Sequence, residues 1–241
     1  MLLNKLQTSL SNIDQPQDVG LREELSRLFD LTECQPNDRP QVEAFIRESF
    51  ASAYGANVRS YMPRLFSLCA KDGNLLTAFG VRSAQHQPLF LETYLDHPIE
   101  QAIEHKAGVK ADRCNIIEIG NLAAIYPGMV RWMIVALTVM LYEEGCDWVV
   151  FTGTPALRNS IYKLGLHTVE ICPARIEHLS PEERIHWGTY YERKPAVMFG
   201  NIPQGFHTMR ANGQLLALLN KEKARIARIH QGGIKLAGSA P

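Results

Sequence analysis

One acidic residue lies in a stretch of the chain that is otherwise apolar. Glu118 follows Ile116 and Ile117 in a run of strand length, close to the end of that run. A carboxylate that is removed from water has a raised pKa, and it can accept a proton from an amine nucleophile or from an intervening water. The alternative is a solvent-facing or ion-paired carboxylate, with Arg82 or Arg113 as its partner. The pattern therefore predicts either a general base or one half of an ion pair.

The residues that follow Glu118 could hold a carbonyl or an amide. Asn121, Leu122, Ala123 and Ala124 complete the same run. If the strand parts from its neighbour there, its exposed N–H groups can bond an amide as a strand would, or polarise a carbonyl. Asn121 could equally satisfy a turn. We expect Asn121 to belong to the catalytic group and the backbone of the next three residues to orient a substrate.

The start of the next apolar segment is a candidate site for phosphate. Tyr126-Pro-Gly-Met-Val-Arg131 leads into a helical run, and the first N–H groups of a helix have no partner within it. The candidate residues are Gly128, Met129, Val130 and Arg131, of which Arg131 also adds positive charge. A structural turn is the alternative interpretation.

Two strands and two helices are needed to hold these residues together. The sequence predicts a strand at Arg113–Ala124, a buried helix at Arg131–Tyr142 that ends before Gly145, a strand at Trp148–Phe151 and a helix opened by Thr154 and Pro155. Strands joined in this way lie parallel, with a right-handed crossover. Ligands of such sheets bind beyond the carboxyl ends of the strands, which places Gly120–Gly128 and Thr152–Thr154 around one crevice.

The other elements predict a mixed sheet flanked by helices. Helices are expected near Leu21–Phe29, Val42–Tyr54 and Pro98–Ala107, a hairpin at Leu65–Ala70 and Leu75–Val81, and closing strands at His167–Cys172 and Ala196–Gly200. Leu89–Tyr94 is expected to be a short strand or the start of a helix. Most neighbouring strands should therefore be antiparallel, with one parallel pair at the centre.

Composition narrows the range of partners. The 25 basic and 25 acidic residues of the 241-residue chain cancel, which gives no electrostatic argument for nucleic acid. The five cysteines are scattered and form no C-x-x-C pair, a pattern that favours a reducing compartment and no metal site. The N-terminus lacks the apolar core of a secretory signal, and the apolar run Trp132–Tyr142 is shorter than the ~20 residues of a membrane span. We expect a cytoplasmic protein.

The order of elements resembles that of the GNAT superfamily of N-acyltransferases, and several local motifs narrow the resemblance. The motifs are Tyr54-Gly-Ala56, Met62-Pro63, Gly80-Val-Arg82, Leu89-Phe-Leu-Glu-Thr-Tyr-Leu-Asp96, Glu118-Ile-Gly-Asn-Leu-Ala123, Trp148-Val-Val-Phe-Thr-Gly-Thr154, Leu157-Arg-Asn159, Leu164-Gly-Leu166 and Trp187-Gly-Thr-Tyr-Tyr-Glu192. Together they resemble the thermostable hemolysin family from Asp38 to Gly205. The Glu-x-x-Asn-Leu-Ala pattern is also similar to acyl-homoserine-lactone synthases, which are GNAT relatives.

The resemblance implies a reaction and a donor. In GNAT enzymes the pantetheine of the acyl donor lies between two splayed central strands, so the donor would be acyl-CoA or the phosphopantetheine of acyl carrier protein, and the acceptor a small-molecule amine. The GNAT phosphate loop, Q/R-x-x-G-x-G/A, is reduced here to the single glycine Gly128. This departure leaves room for acyl carrier protein as the partner.

The resemblance also implies roles for one later helix. Tyr162 precedes Lys163-Leu-Gly165, where many GNAT enzymes place a tyrosine that protonates the leaving thiolate, but the spacing differs by one residue. One residue turns a side chain by roughly 100° on a helix. Arg158 and Asn159, near the start of that helix, would face the donor or would only cap the helix.

Acceptor binding is assigned to Arg82, Glu92 and Tyr94. Glu92 and Tyr94 belong to an acidic cluster with Asp96 and Glu100, and such a cluster would attract an amine. A solvated charged face is the alternative interpretation. Trp187-Gly-Thr-Tyr-Tyr191 could roof an acyl pocket or form a corner of the core.

We expect three regions and keep three functions open. The regions are an N-terminal extension and helix at residues 1–30, a GNAT-like domain at 31–205 and a basic amphipathic extension at 206–241, which could bind a membrane surface. The first function is N-acyl transfer. The alternatives are a membrane-active haemolysin and a module that binds acyl thioesters without turnover.

Overall fold

A computed structural model of the protein describes residues 19–211. Its strands form one seven-stranded sheet in the order β1-β2-β3-β4-β5-β7-β6. The strands are β1 (Phe29–Glu33), β2 (Arg64–Ala70), β3 (Leu75–Ser83), β4 (Ile116–Ala124), β5 (Trp148–Gly153), β6 (Val169–Pro173) and β7 (Ala196–Asn201). The helices are α1 (Val19–Leu28), α2 (Arg39–Tyr54), α3 (Ile99–Ala107), α4 (Met129–Glu143), α5 (Pro155–Tyr162), α6 (Pro181–Arg184) and α7 (Ile202–Ala211).

The fold class expected from the sequence is confirmed. β4 and β5 run parallel and α4 connects them, whereas every other neighbouring pair in the described sheet is antiparallel. The expected hairpin is present, since β2 and β3 pair across the turn that contains Gly73, whose φ of 85° suits glycine. The segment Phe90–Tyr94, for which a strand or a helix start was expected, is a short 3-10 helix.

α4 is buried as its sequence predicts. Trp132, Met133 and Leu141 are almost fully enclosed, and burial of each large apolar side chain contributes about 2–3 kcal/mol to stability. The helix ends where expected, because Gly145 takes a left-handed φ of 74° just beyond it. α1, α5 and α7 pack with α4 on one face of the sheet.

The opposite face of the sheet carries α2, α3 and the 3-10 helix Phe90–Tyr94. Side chains alternate between the two faces along each strand, so Ile117 and Ile119 of β4 point toward α4 while Ile116 packs on the other side. Glu118 therefore lies on the face that carries α2 and α3.

Parts of the expected terminal regions lie outside the described residues. This applies to residues 1–18 of the N-terminal extension and to residues 212–241 of the basic extension. Gly205, where the domain boundary was placed, lies inside α7. None of the helices within residues 19–211 combines the length and the apolar character that a membrane span requires.

Candidate active site

A cavity opens where the two parallel strands separate. β4 and β5 are paired from Ile116↔Trp148 to Ile119↔Phe151, and β4 then continues beside β3 while β5 continues beside β7. The cavity at this gap has a volume of about 760 Å³. Its lining includes residues from both faces of the sheet, so it passes through the sheet at this point.

A β-bulge creates the separation. Gly80 faces Gly120 and Ala78 faces Ala123, so β4 has one residue more than β3 between these two pairs. Asn121 takes a left-handed φ of 52° at the bulge, a conformation that asparagine tolerates better than most residues. Its Oδ1 accepts a hydrogen bond from the N–H of Met62 at 2.8 Å, and its Nδ2 donates to the carbonyl of Ser60 at 3.2 Å. The side chain of Asn121 thus ties the bulge to the segment before β2.

The same segment explains two glycines in the sheet. The side chain of Met62 lies directly over Gly80 and Gly120, and a Cβ on Gly120 would come within 2.6 Å of the Met62 methyl carbon. A Cβ on Gly80 would overlap the start of the Met62 side chain. A side chain at Gly80 would therefore displace the Met62 segment, whereas at Gly120 only the methyl end of Met62 would have to move.

Glu118 is a buried carboxylate at the wall of the cavity. Its residue is 2% exposed. One carboxylate oxygen accepts the N–H of Phe90 at 3.0 Å and the other accepts the N–H of Leu91 at 2.9 Å. Burial raises the pKa of Glu118 above its usual value, although these two N–H groups and the charge of Arg82 act in the opposite direction. Glu118 is thus a buried carboxylate with a raised pKa at the cavity.

Arg82, and not Arg113, is the charged neighbour of Glu118. Arg82 Nη1 lies 3.8 Å from Glu118 Oε2, which is longer than a hydrogen bond. Arg113 instead bonds Glu92 and Glu100 at 2.7 and 2.6 Å. Glu92 therefore lies in an ion-pair cluster, and only Arg82 and Tyr94 of the three expected acceptor-binding residues line the cavity.

Two polar atoms at the cavity have no partner among the described residues. They are Arg82 Nε and Thr152 Oγ1, and both are buried. Thr152 belongs to β5 and lies beyond the last paired residue, Phe151, on the side where the strands part. Buried polar atoms are usually hydrogen-bonded, so two residues that line the cavity and each carry an unpaired buried atom are candidates for ligand contacts.

Aromatic side chains close the cavity on the Glu118 face. Phe90, Tyr94, Trp187, Tyr190 and Tyr191 all line it. The hydroxyls of Tyr94 and Tyr191 are hydrogen-bonded at 2.5 Å, and burial raises the pKa of Tyr191 to about 12. The sequence left two interpretations of Trp187–Tyr191, a roof over a pocket or a corner of the core. In the structure this segment lines the cavity and also packs on the core.

Gly188 shows how this aromatic wall is held. Its φ is 50°, and a Cβ there would overlap the backbone of Tyr54 and Gly55. The N–H of Thr189 donates to the Tyr54 carbonyl at 2.8 Å. The motif around Trp187 therefore packs directly on the C-terminal end of α2.

Some of the expected donor-binding residues line the cavity. Leu122, Ala124 and Val130 do so from the α4 face and Ala123 from the α2 face. Gly128, Met129 and Arg131 do not. The first N–H groups of α4 are also used locally, because Met129 and Val130 donate to the carbonyls of Tyr126 and Pro127 at 3.0 and 3.3 Å. The start of α4 is therefore less open to phosphate than its sequence suggests.

The residues expected on α5 lie elsewhere. Tyr162 is 68% exposed, and its ring contacts His167 outside the cavity. Arg158 pairs with Glu170 at 3.0 Å and lines a separate cleft of about 480 Å³, and Asn159 is exposed. The α5 side chains that line the main cavity are Ala156, Leu157 and Ser160.

Some lining residues were not identified from the sequence. They include Phe45, Phe50 and Tyr54 of α2 and Met62, whereas Thr152–Thr154 line the cavity as the sequence predicted. The helical spacing of the α2 aromatics predicted a buried face, but nothing local indicated that this face would meet β4. Across residues 19–211, no three His, Cys, Asp or Glu side chains are grouped so that they could hold a metal ion.

Comparison with known families gives one match. The sequence model of the family described as thermostable hemolysin matches residues 32–206 of this chain. No curated protein matches the chain at a significant level.

Solved structures with the same fold are much less similar in sequence. FeeM, an N-acyl amino acid synthase from uncultured soil microbes, superposes with a TM-score of 0.51 at 15% identity, over 73% of this chain and 92% of its own. BjaI, a CoA-dependent acyl-homoserine lactone synthase solved with SAM and isopentyl-CoA, has a TM-score of 0.51 at 10% identity, over 76% and 88%. The apo form of TofI has a TM-score of 0.50 at 13% identity, over 80% and 95%. At these identities the similarity shows the fold.

Proposed function

Since this chain belongs to the thermostable hemolysin family and its sheet opens beside a buried glutamate, we propose that it is an N-acyltransferase. The donor is a thioester of coenzyme A or acyl carrier protein, and the acceptor is an amine. FeeM and BjaI, which share the fold, are named as synthases of N-acyl amino acids and acyl-homoserine lactones. Their names make acyl transfer the first reaction to test.

The single observation that carries this proposal is the position of Glu118. Its carboxylate is buried, has a raised pKa and lines the cavity at the last paired residues of the two central strands. A carboxylate in that state can take a proton from an amine that enters the cavity from the same face. The expected role of Glu118 as a general base is therefore retained in the proposal.

The donor occupies the gap between the strands. From Gly120 to Ala124, the described part of β4 is paired with β3 alone, so its other edge faces the cavity. Amide groups of a pantetheine arm can pair with such an edge as an added strand would. The hydroxyl of Thr152 is available to the thioester carbonyl. Leu122, Val130 and Leu157 supply an apolar wall for the acyl chain.

The proposed step forms one bond and breaks one. Glu118 accepts a proton from the ammonium group of the acceptor, and the neutral nitrogen attacks the carbonyl carbon of the thioester. The N–C bond forms, the C–S bond breaks, and the electron pair of that bond leaves with the sulfur. The nitrogen then loses a second proton, which neutralises the thiolate, and Glu118 returns its own proton to water.

Asn121 acts through the backbone in this proposal. Both ends of its side-chain amide are engaged by Met62 and Ser60, so it fixes the bulge that exposes the edge of β4. It is a positioning residue. Tyr162 has no part in the step, because its side chain lies outside the cavity.

The test is direct measurement of amide formation. The purified protein is incubated with decanoyl-CoA or decanoyl acyl carrier protein and a mixture of primary amines and standard amino acids. Amide products are detected by mass spectrometry, and thiol release is followed in parallel. We expect Glu118→Gln to lower the rate of amide formation about a hundredfold or more. Glu143→Gln, which removes a surface carboxylate paired with Arg22 at 3.3 Å, should leave the rate unchanged.

The two possible failures have different meanings. An unchanged rate in folded Glu118→Gln protein removes Glu118 from the mechanism. No amide from either donor with any amine contradicts acyl transfer itself.

A binding module without turnover is the second candidate, and one observation favours it. Tyr162 is directed to solvent, and it was the hydroxyl expected to protonate the leaving thiolate. Such a module would bind decanoyl-CoA in the cavity yet release no thiol when amine is added. Direct lysis of membranes was inferred from the basic extension, most of which lies outside the described residues, so no structural observation favours it.

A further inference from the structure

Arg82 is a charged side chain whose hydrogen-bonding capacity is not used by its surroundings. It stands opposite Glu118 in the pairing of β3 with β4, and both side chains lie on the face that carries α2. The Arg82 side chain is 19% exposed, and its only ion-pair distance within residues 19–211 is the 3.8 Å to Glu118. Its Nε is buried and has no partner in the same range. The guanidinium therefore presents unused donors at the wall of the cavity.

Other arginines of the protein show what a satisfied guanidinium looks like. Arg113 donates to both oxygens of Glu92 at 2.7 and 2.9 Å and also reaches Glu100. Arg64 donates to both Glu33 and Glu144. A guanidinium with five donors in a fixed plane pairs best with a carboxylate through two parallel hydrogen bonds. Arg82 lacks that partner among the described residues.

Glu118 does not form a hydrogen bond with Arg82. Its two oxygens accept the N–H groups of Phe90 and Leu91, which fixes the plane of the carboxylate. In that orientation the nearest nitrogen of Arg82 stays outside hydrogen-bonding distance. The guanidinium of Arg82 and the carboxylate of Glu118 therefore lie side by side at the cavity, and the guanidinium has donors without partners among residues 19–211.

We propose that the acceptor is an α-amino acid whose carboxylate binds Arg82 while its amine is deprotonated by Glu118. This inference rests on the proposed function. An α-amino acid carries an ammonium and a carboxylate on the same carbon, and the opposite charges of Glu118 and Arg82 are 3.8 Å apart. The two pairs can thus form together, each between opposite charges.

The side chain of the acceptor is apolar or aromatic. Phe90, Tyr94 and Trp187 line the cavity beside Arg82 and Glu118 and offer ring faces and edges. Acyl transfer leaves the carboxylate of the acceptor unchanged, so the N-acyl amino acid product keeps its contact with Arg82 until it leaves.

The first experiment compares three ligands on the unaltered protein. L-phenylalanine, L-phenylalanine methyl ester and 2-phenylethylamine share a ring and an amine, and only the first carries a carboxylate. Dissociation constants are measured by calorimetry, and kcat/KM is measured with decanoyl-CoA as the donor. We expect loss of the carboxylate to weaken binding and to lower kcat/KM by about tenfold to a hundredfold, the effect of one charge-assisted pair.

The second experiment removes the guanidinium. In Arg82→Gln, the affinity and kcat/KM for L-phenylalanine should fall to the values for 2-phenylethylamine. The values for 2-phenylethylamine should be almost unchanged. Arg82→Lys keeps the charge but not the paired donors. Its kcat/KM for L-phenylalanine should lie between those of the unaltered protein and of Arg82→Gln. Arg22→Gln, a surface change at the Glu143 ion pair, is the matched control and should keep the full preference for the amino acid.

The outcomes separate this inference from the proposed function. If 2-phenylethylamine and L-phenylalanine are acylated with the same kcat/KM, acyl transfer stands and the role of Arg82 is overturned. If no amine is acylated, the proposed function fails, and the calorimetric series still decides whether Arg82 selects a carboxylate. Equal binding of the three ligands, or binding of none of the standard amino acids, overturns the inference. Should Arg82→Gln not fold, the ligand series on the unaltered protein gives the answer alone.

Discussion

Glu92 and Glu118 lie on the same face of the sheet and both accept backbone N–H groups near the 3-10 helix Phe90–Tyr94. Glu92 accepts the N–H of Leu89 at 2.7 Å and that of Ile99, at the start of α3, at 2.9 Å. Arg113 adds two hydrogen bonds to the Glu92 carboxylate. Burial acts to raise the pKa of Glu92, but Arg113 and the two N–H groups outweigh it and lower the pKa below its usual value.

Glu118 has the same kind of backbone contacts and a different result. It accepts the N–H groups of Phe90 and Leu91, but the nearest cation is 3.8 Å away and burial is more complete. Its pKa is raised. More complete burial, together with the longer distance to the nearest cation, therefore separates the raised pKa of Glu118 from the lowered pKa of Glu92.

The largest expected difference between the two glutamates is in turnover. Glu118→Gln should lower kcat for amide formation by about 10²–10⁴-fold, because it removes the proposed base. Glu92→Gln should change kcat by about threefold or less, since Glu92 does not line the cavity. The measurement is the decanoyl-CoA assay on both folded variants. Similar losses of kcat in the two variants would contradict a role in turnover for Glu118 that Glu92 does not share.

The free energy of unfolding should fall more in Glu92→Gln than in Glu118→Gln, the reverse of the order expected for kcat. Glu92→Gln leaves Arg113 with Glu100 as its one remaining carboxylate partner within residues 19–211 and weakens a contact to α3, so it should cost about 2 kcal/mol in the free energy of unfolding. Glu118→Gln keeps one acceptor for the two N–H groups and should cost about 1 kcal/mol. Urea unfolding followed by circular dichroism measures both. A larger loss in Glu118→Gln would mean that Glu118 is the main structural carboxylate.

Much of the frame around these glutamates could be predicted from the sequence, because it depends on local patterns. The alternation in β4, the apolar run of α4 and the turn at Gly73 each occupy a short stretch, and the structure confirms all three. The parallel pairing of β4 with β5 followed from the helix between them.

The pairing of charges could not be predicted in the same way. The sequence left Arg82 and Arg113 as equal partners for Glu118, because residue order alone does not show which side chains pack together. Only the register of β3 on β4 places Arg82 beside Glu118, and only tertiary packing brings Arg113 to Glu92. The bulge at Asn121 was missed for a similar reason, because it depends on contacts with Ser60 and Met62.

The cations themselves offer a third comparison. Arg113→Lys loses a planar pair of hydrogen bonds to Glu92, and we expect a loss of about 1–2 kcal/mol in the free energy of unfolding. Arg82→Lys should cost about 0.5 kcal/mol or less, because Arg82 makes no hydrogen bond to any residue in the described range that is short enough to lose. Thermal and urea unfolding of the two variants give the values. Equal losses would show that Arg82 is as fully engaged as Arg113.

The smallest and most specific difference is the response of stability to pH. Glutamine does not titrate, so the free energy of unfolding of the unaltered protein minus that of each Gln variant isolates one carboxylate. The pKa of Glu92 is lowered from 4.5, so its contribution is present above that pH and is lost as the pH falls through the folded-state value. The pKa of Glu118 is raised from 4.5, so its contribution is present below that pH and is lost as the pH rises through the folded-state value.

On acidification from neutral pH, the stability difference for Glu92→Gln should therefore shrink while that for Glu118→Gln grows. Urea unfolding at a series of pH values on both sides of the ordinary glutamate pKa measures the two trends with the same protein preparations. If the Glu92 and Glu118 differences moved in the same direction, burial and the distance of the nearest arginine would not be what sets the two carboxylates apart.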